Sequence, residues 1–548
     1  MPRSRIAAVS PGTPLPLPML YPLFFVAIYL THLTLLTLPY YWDEAGYYIP
    51  AALDFFHSGT LIPVTTLTNA HPPLPSVLLA GWWRLCGGSS IYATRILVAM
   101  VAAAALLGVF RLARGVAGAP VATAVTILTG LYPVWFAQST LAHADIFAAA
   151  FTLWALSFYL VPPTLDKPAP HRFVWAGGLF ALAALAKETA IVTPAALFLW
   201  ELVLLLSTEE KPRRGTHARW LLALAAPVVP LALWYLYHYW HTGFIFGNPE
   251  FLRYNATANL GWTRILLSLW HRTIHLTVHM NLYVPVMVTF ALSTAKPAFA
   301  TAADGTLRRP ALPALTVVLL GNLVAFSILG GALLTRYLLP MYPLVLLLCV
   351  AVWAQRMRHW WPLAVMTGAA FLAGLWVDPP YAFAPEDNLT YRDMIVLHEQ
   401  AINYIERHYP AATVLTAWPA SAELTRPELG YDHKAFRVAP IEDFSAAQVQ
   451  KAATDPGSFD TALIFSTKWV PPPGALSFSR NHEAADSRYF DFHRDLSPAE
   501  CAAILHGEIV WQARRGGEWV AVLHFNRSVV ATREPAPLPA QRNSTPAM

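Results

Sequence analysis

Five short stretches place ionisable side chains at the ends of long apolar runs, where charge is costly and needs a reason. Asp43 and Glu44 sit in Tyr-Tyr-Trp-Asp-Glu-Ala-Gly-Tyr-Tyr, a few residues beyond the first apolar run, and Asn69-Ala70-His71-Pro72-Pro73-Leu74 follows in the same inter-run segment. Asp145 opens another apolar run in Leu-Ala-His-Ala-Asp-Ile-Phe, and two cations stand in Ala186-Lys187-Glu188-Thr189 and Thr335-Arg336-Tyr337-Leu338-Leu339-Pro340. A carboxylate held at headgroup level can take the proton from an attacking hydroxyl. A guanidinium fork there matches the oxygens of a phosphate. Each residue also has a plainer reading: Asp43 and Asp145 as helix caps, His71 as incidental before a Pro-initiated helix, Arg336 as an interfacial snorkeller, and Lys187 as the partner of Glu188.

His271, His275 and His279 recur every four residues and would share one helical face. Three ligands in line along about 12 Å of helix cannot all reach one ion, so a polar stripe at the interface is the preferred reading over a metal site.

The elements that must carry these residues follow from composition. The chain has 548 residues, of which 56% are hydrophobic and 13% charged, with a mean hydropathy of +0.43. A soluble globule carries roughly a quarter charged residues, so a water-soluble enzyme, a disordered scaffold and a nucleic-acid binder are all disfavoured. Residues 1–375 hold 22 Lys+Arg and 11 Asp+Glu, whereas 376–548 hold 15 and 21. The basic excess therefore belongs to the apolar part, where cytoplasmic loops collect Lys and Arg. Three cysteines, Cys86, Cys349 and Cys501, offer neither a disulfide framework nor a CxxC site.

Eleven runs are long enough for a core about 30 Å thick: roughly 18–39, 90–110, 119–138, 144–161, 173–186, 189–206, 219–240, 274–295, 312–333, 337–354 and 360–377. With the N-terminus in the cytoplasm, Arg111/Arg114, Lys167/Arg172, Lys211/Arg213/Arg214/Arg219, Lys296/Arg308/Arg309 and Arg356/Arg358 all fall inside. Pro72 to Gly87, short and carrying Trp82, Trp83 and Arg84, reads as a helix lying at the outer interface. The expected organisation is a cytoplasmic N-terminal tail (1–17), an α-helical polytopic membrane domain (18–377), a small α/β domain outside the cytoplasm (378–532) and a disordered end (533–548). In the α/β part the patterns predict a helix over 391–407, strands at 413–417 and 461–467, and a hairpin of 508–513 with 518–525 around Gly516-Gly517.

Taken together, the acidic pair after the first run, the His-Pro-Pro-Leu some 28 residues later and the Asp opening the fourth run resemble the lipid-linked sugar transferases of the GT-C fold. The nearest groups are the protein O-mannosyltransferase-like enzymes and the aminoarabinose-to-lipid-A transferases. The layout covers most of 18–377, while the motifs amount to about twenty residues.

The resemblance implies an inverting glycosyltransferase of the bacterial inner membrane. It would move a sugar from a polyprenyl-phosphate donor to a lipid, glycan or protein hydroxyl on the outer face. Asp43 matches the catalytic acid, Glu44 its acidic neighbour and Asp145 the second-loop carboxylate, with Arg336, Lys187 and His71 on the donor phosphate. A divalent metal occurs in part of the family, and Ala70 replaces a Glu that would be one of its ligands. The competing readings are a transporter or flippase and a catalytically silent scaffold.

Overall fold

The computed structural model describes residues 17–161, 171–247, 261–294, 311–329, 333–469, 483–490 and 494–526. The expected N-terminal tail up to residue 16, Lys167, Lys296/Arg308/Arg309 and the end at 533–548 lie outside them. The first part is all helical: α1 (Leu17–Thr31), α2 (Ile49–Ser58), α3 (Leu74–Cys86), α4 (Ile91–Ala117), α5 (Ala119–Leu131), α6 (Pro133–Gln138), α7 (Ala144–Leu160), α8 (Arg172–Ala186), α9 (Val192–Ser207), α10 (Lys211–Ala225), α11 (Val228–Thr242), α12 (Trp262–Thr277), α13 (Tyr283–Thr294), α14 (Ala311–Ile328), α15 (Tyr342–Arg356) and α16 (Trp361–Gly374). Among the described residues five helices are long and apolar enough to cross a bilayer, five more are apolar but shorter, and α12 with α13 forms a pair bent by 102°. Leu23, Leu30, Leu199, Leu206, Leu222 and Leu233 are exposed on the outside of the bundle, the surface a lipid solvent requires. The chain is an integral membrane protein.

Small residues bring the helices together. Ala99, Ala102, Ala103 and Ala105 of α4 are fully buried, as are Ala149 and Ala155 of α7, and close backbone approach replaces hydrophobic drive inside a membrane. At Gly177 on α8 a Cβ would lie 2.8 Å from the Ala223 carbonyl oxygen of α10. Ser90 caps α4 by accepting from the Ala93 N–H, and Gly118, at φ +90°, separates α4 from α5.

The eighth apolar run is not one straight helix, which corrects the histidine stripe. α12 ends at Thr277, and Met280, at φ +46°, breaks the path. His279, just beyond that helix end, keeps its ring 5.4 Å from that of His275 but is buried, so it belongs to no exposed stripe.

Beyond α16 come α17 (Thr390–His408), β1 (Thr413–Ala417), α18 (Ala420–Thr425), β2 (Arg437–Ile441), α19 (Ala446–Ala453), β3 (Thr461–Phe465), α20 (Glu483–Phe490), α21 (Pro498–Leu505), β4 (Glu508–Arg515) and β5 (Glu518–His524). The sheet order is β2-β1-β3-β5-β4, with β1 parallel to β2 and β3, and β5 antiparallel to β3 and β4. Ile395, Ile402 and Ile405 of α17 are buried, in the 3.6-residue period that the sequence announces. β2 has no counterpart among the expected strands because Pro440 reads as a breaker, and an edge strand tolerates it.

This α/β part is tied to the segment between α1 and α3: the Tyr40 N–H donates to the Leu429 carbonyl (3.1 Å), the Tyr431 hydroxyl to the Tyr40 carbonyl (3.1 Å), and Arg426 to the Thr65 carbonyl. Gly430, at φ +98°, lies where a Cβ would come within 2.6 Å of Ile91.

Glu518, at the start of β5, is buried with only the Ser466 hydroxyl (2.6 Å) on its carboxyl among the described residues. Burial pushes it up to about 7, and Asp378, Asp393 and Asp495 add to the rise. Its folded pKa exceeds the unfolded one, so its contribution is full below about 4.5 and is lost as pH rises through about 7. Stability of the purified protein is expected to fall between about pH 4.5 and 7.5 by up to about 3 kcal/mol, and Glu518→Gln to flatten that slope.

Candidate active site

Tyr41 and Trp42 lead into a one-turn π-helix, Glu44–Tyr48, and Trp42 adopts φ +48°. A bulky residue in the left-handed region is strained, and such strain collects at functional sites. Asp43 precedes the π-turn but makes no capping hydrogen bond, so the capping role is not the one its side chain plays. Its carboxylate instead accepts from Arg336 Nη2 and stays 32% exposed.

Arg336, on a 3₁₀ turn from Thr335 to Met341, is 2% exposed and is no snorkeller. Its Nη1 donates to Glu386, and its Nε lies 3.4 Å from Asp145 Oδ2, too poorly aligned for a hydrogen bond. Asp145, in the first turn of α7, accepts from Lys187 Nζ at 2.6 Å. Asp43 and Asp145, about a hundred residues apart in sequence, thus meet on one guanidinium.

Lys187 caps the end of α8 in an extended conformation and sits 4.0 Å from the centroid of the Tyr337 ring. It is not neutralised by Glu188, whose carboxylate takes His71 Nδ1 at 2.9 Å. His71 stands between the Tyr47 and Tyr48 rings, 5.7 and 5.9 Å away. Among the described residues no three His, Cys, Asp or Glu side chains are placed to hold one ion. With Ala70 supplying no ligand and His71 committed to Glu188, these residues do not fit a metal site.

Glu44 differs from its neighbour. It is fully buried, pairs with Arg95 of α4 and accepts the backbone N–H groups of Tyr41 (2.9 Å) and Ala142. Arg95 in turn donates to the carbonyls of Thr140 (2.9 Å) and Pro39 (3.0 Å). The pair clamps the Asp43 segment to the Asp145 segment, which makes Glu44 a positioning residue. Removing one member of such a pair strands a buried charge at a cost of about 3–5 kcal/mol. Arg95→Ala is therefore expected to lower abundance and melting temperature sharply, and the Glu44→Gln/Arg95→Met double variant to recover part of the loss.

Three contributors were not legible as site residues. Glu386 and Asp387 come from a short 3₁₀ turn after the last apolar helix. Asp378 fixes that turn by accepting from Asn388 (3.0 Å) and Thr390 (2.9 Å). Asp387 accepts from the Thr335 hydroxyl and from His279 Nε2 at 2.9 Å, which anchors the Arg336 turn to the break after α12. Burial pushes the Glu386 carboxyl up to about 8, and Arg336 pulls it the other way.

Arg95 and Arg272 do carry a signal, a lone cation inside an apolar helix. Arg272 is fully buried on α12, 5.7 Å from the Tyr337 ring, and donates through Nη1 to the Leu334 carbonyl at 2.6 Å. Its Nε and Nη2 take no partner among the described residues, and neither does the Ser268 hydroxyl one turn earlier. A buried guanidinium with open donors, sharing the Tyr337 ring with Lys187, has the chemistry to accept an anion.

Residues 70–234 match the family described as dolichyl-phosphate-mannose-protein mannosyltransferase. The ArnT of Cupriavidus metallidurans bound to undecaprenyl phosphate superposes with a TM-score of 0.54 at 15% identity, over 92% of this chain and 98% of that one. The chain has the GT-C fold. The same ArnT in the apo state gives a TM-score of 0.54 at 15% identity over 92% and 97% of the two chains. The Archaeoglobus fulgidus oligosaccharyltransferase in complex with zinc and sulfate gives 0.45 at 11% identity over 82% and 68%. No curated protein sequence matches. The fold is thus that of the GT-C membrane proteins, and the carboxylate–arginine cluster is the candidate active site.

Proposed function

We propose that this GT-C protein is an inverting transferase that moves a sugar from a polyprenyl-phosphate donor to an acceptor hydroxyl on the outer face of the membrane. The observation that carries the reading is the convergence of Asp43, Asp145 and Arg336 beside the open donors of Arg272. A phosphate on a membrane-buried lipid sits at headgroup level, and these residues lie at or next to helix ends. The loop charges support placing that end of the bundle, with the α/β domain, outside the cytoplasm.

The acceptor oxygen attacks the anomeric carbon opposite the phosphate ester, its proton passes to Asp43, and the C–O bond to the phosphate breaks with the electron pair leaving on the lipid phosphate. Arg336 holds the Asp43 carboxylate in place. Arg272 and Lys187 meet the charge that grows on the leaving phosphate, a contact that strengthens toward the transition state. His71 orders the Tyr47–Tyr48 wall in this scheme. No step runs through a metal.

Reconstituted protein given polyprenyl-phosphate sugars and an envelope extract is expected to release polyprenyl phosphate and a glycosylated product together. Solute or lipid flux with no such product would establish the transporter reading instead. Arg272→Ala is expected to weaken undecaprenyl phosphate binding by about 10-fold or more, the value of a charged hydrogen bond, as read by titration calorimetry.

A further inference from the structure

Trp418 stands at the carboxyl end of β1, and the sheet order places β2 and β3 on opposite sides of that strand. The point where parallel connections part to left and right leaves a crevice at the strands' carboxyl ends, the usual ligand position of an open α/β sheet. Here that end faces the membrane domain. Trp418 packs edge-on against Trp42, with ring centroids 4.8 Å apart at 75°, and its indole lies so close over Gly46 that a Cβ there would be 2.7 Å from Nε1. Trp42 precedes Asp43 and Gly46 follows it by three residues, so the indole packs on the same turn that carries the proposed base.

Packing accounts for only part of this ring. It remains 37% exposed, and its N–H has no hydrogen-bond partner among the described residues. Around it stand Thr66, whose hydroxyl donates to the Gly46 carbonyl (2.8 Å), and Arg426.

We propose that Trp418 is the platform on which a carbohydrate acceptor stacks, presenting one of its hydroxyls to Asp43. The inference rests on the transferase reading and adds the acceptor class. A rigid indole with an open face and a free N–H suits a sugar ring, which has an apolar C–H face and a polar rim. The alternatives fit less well: residues 376–548 carry 21 acidic against 15 basic side chains, a field that repels anionic lipid headgroups.

The test uses full-length protein in nanodiscs, with methyl glycosides and disaccharides of hexoses and N-acetylhexosamines as probes by saturation-transfer NMR, and undecaprenyl phosphate binding measured in parallel. Trp418→Ala is expected to weaken glycoside binding roughly tenfold, the scale of an aromatic contact, while undecaprenyl phosphate binding stays unchanged. Trp418→Phe, which keeps the packing, is expected to lose less, and Gly46→Ala to reproduce the loss by displacing the indole. Glycosides that bind equally well without Trp418, glycosides that fail to bind wild type, or a Ser/Thr peptide that binds in a Trp418-dependent way would each overturn the platform. Loss of undecaprenyl phosphate binding in wild type would instead overturn the transferase reading itself.

Discussion

Asp43→Asn is expected to reduce turnover by about 10²- to 10⁴-fold, the range a positioned general base supplies, while membrane insertion, abundance and undecaprenyl phosphate affinity stay near wild type. In the proposed mechanism the contrast arises because Asp43 takes the proton without holding up the fold. It makes no capping bond to the π-turn and remains a third exposed. An amide oxygen can still accept from Arg336 but cannot take a proton from a hydroxyl. Turnover of the reconstituted variant, beside its melting curve, checks this, and full turnover would move the base elsewhere. Asp145 is no ready substitute, since it is nearly fully buried and already faces Lys187 and Arg336.

Arg336→Ala has the second large effect, and it acts on both folding and chemistry. It would leave Asp43 and Glu386 without their cation and Asp145 with Lys187 alone. Repulsion among carboxylates in a water-poor site is expected to lower the melting temperature and to reduce turnover by about 10³-fold or more. Arg336→Lys separates the two contributions. A compact ammonium restores charge, so stability should largely return. It cannot serve Asp43 and Glu386 at once through a planar fork, so turnover should stay down by about 10²-fold. A lysine variant as active as wild type would show that charge alone matters there.

The outcome for the plain readings shows where pattern and packing part. Caps were a reasonable expectation for Asp43 and Asp145, because short acids precede or open helices in each case. Which group a carboxylate faces is set by the neighbouring segment, and Arg336 reaches Asp43 from 293 residues further on and Asp145 from nearly two hundred. Lys187 and Glu188 look like a self-neutralising pair on paper. The extended backbone at Lys187 sends the two side chains to different partners, Asp145 and His71. The His271–His279 spacing promised an interfacial stripe, and the fold instead buries His279 against Asp387.

What residue order alone determines here is the solvent each segment prefers. Transfer of apolar runs into lipid and periodic burial on α17 depend on local composition, so the helical domain, the short helix at Leu74–Cys86 and the hairpin around Gly516 are readable without coordinates. Tertiary structure decides which charges meet. The Glu44–Arg95 clamp, the arrival of Glu386 on Arg336 and the seating of Trp418 over Gly46 join residues about 50 to 370 positions apart. Ion pairs and ring contacts act over a few ångströms, and only the folded path of the chain brings such residues that close.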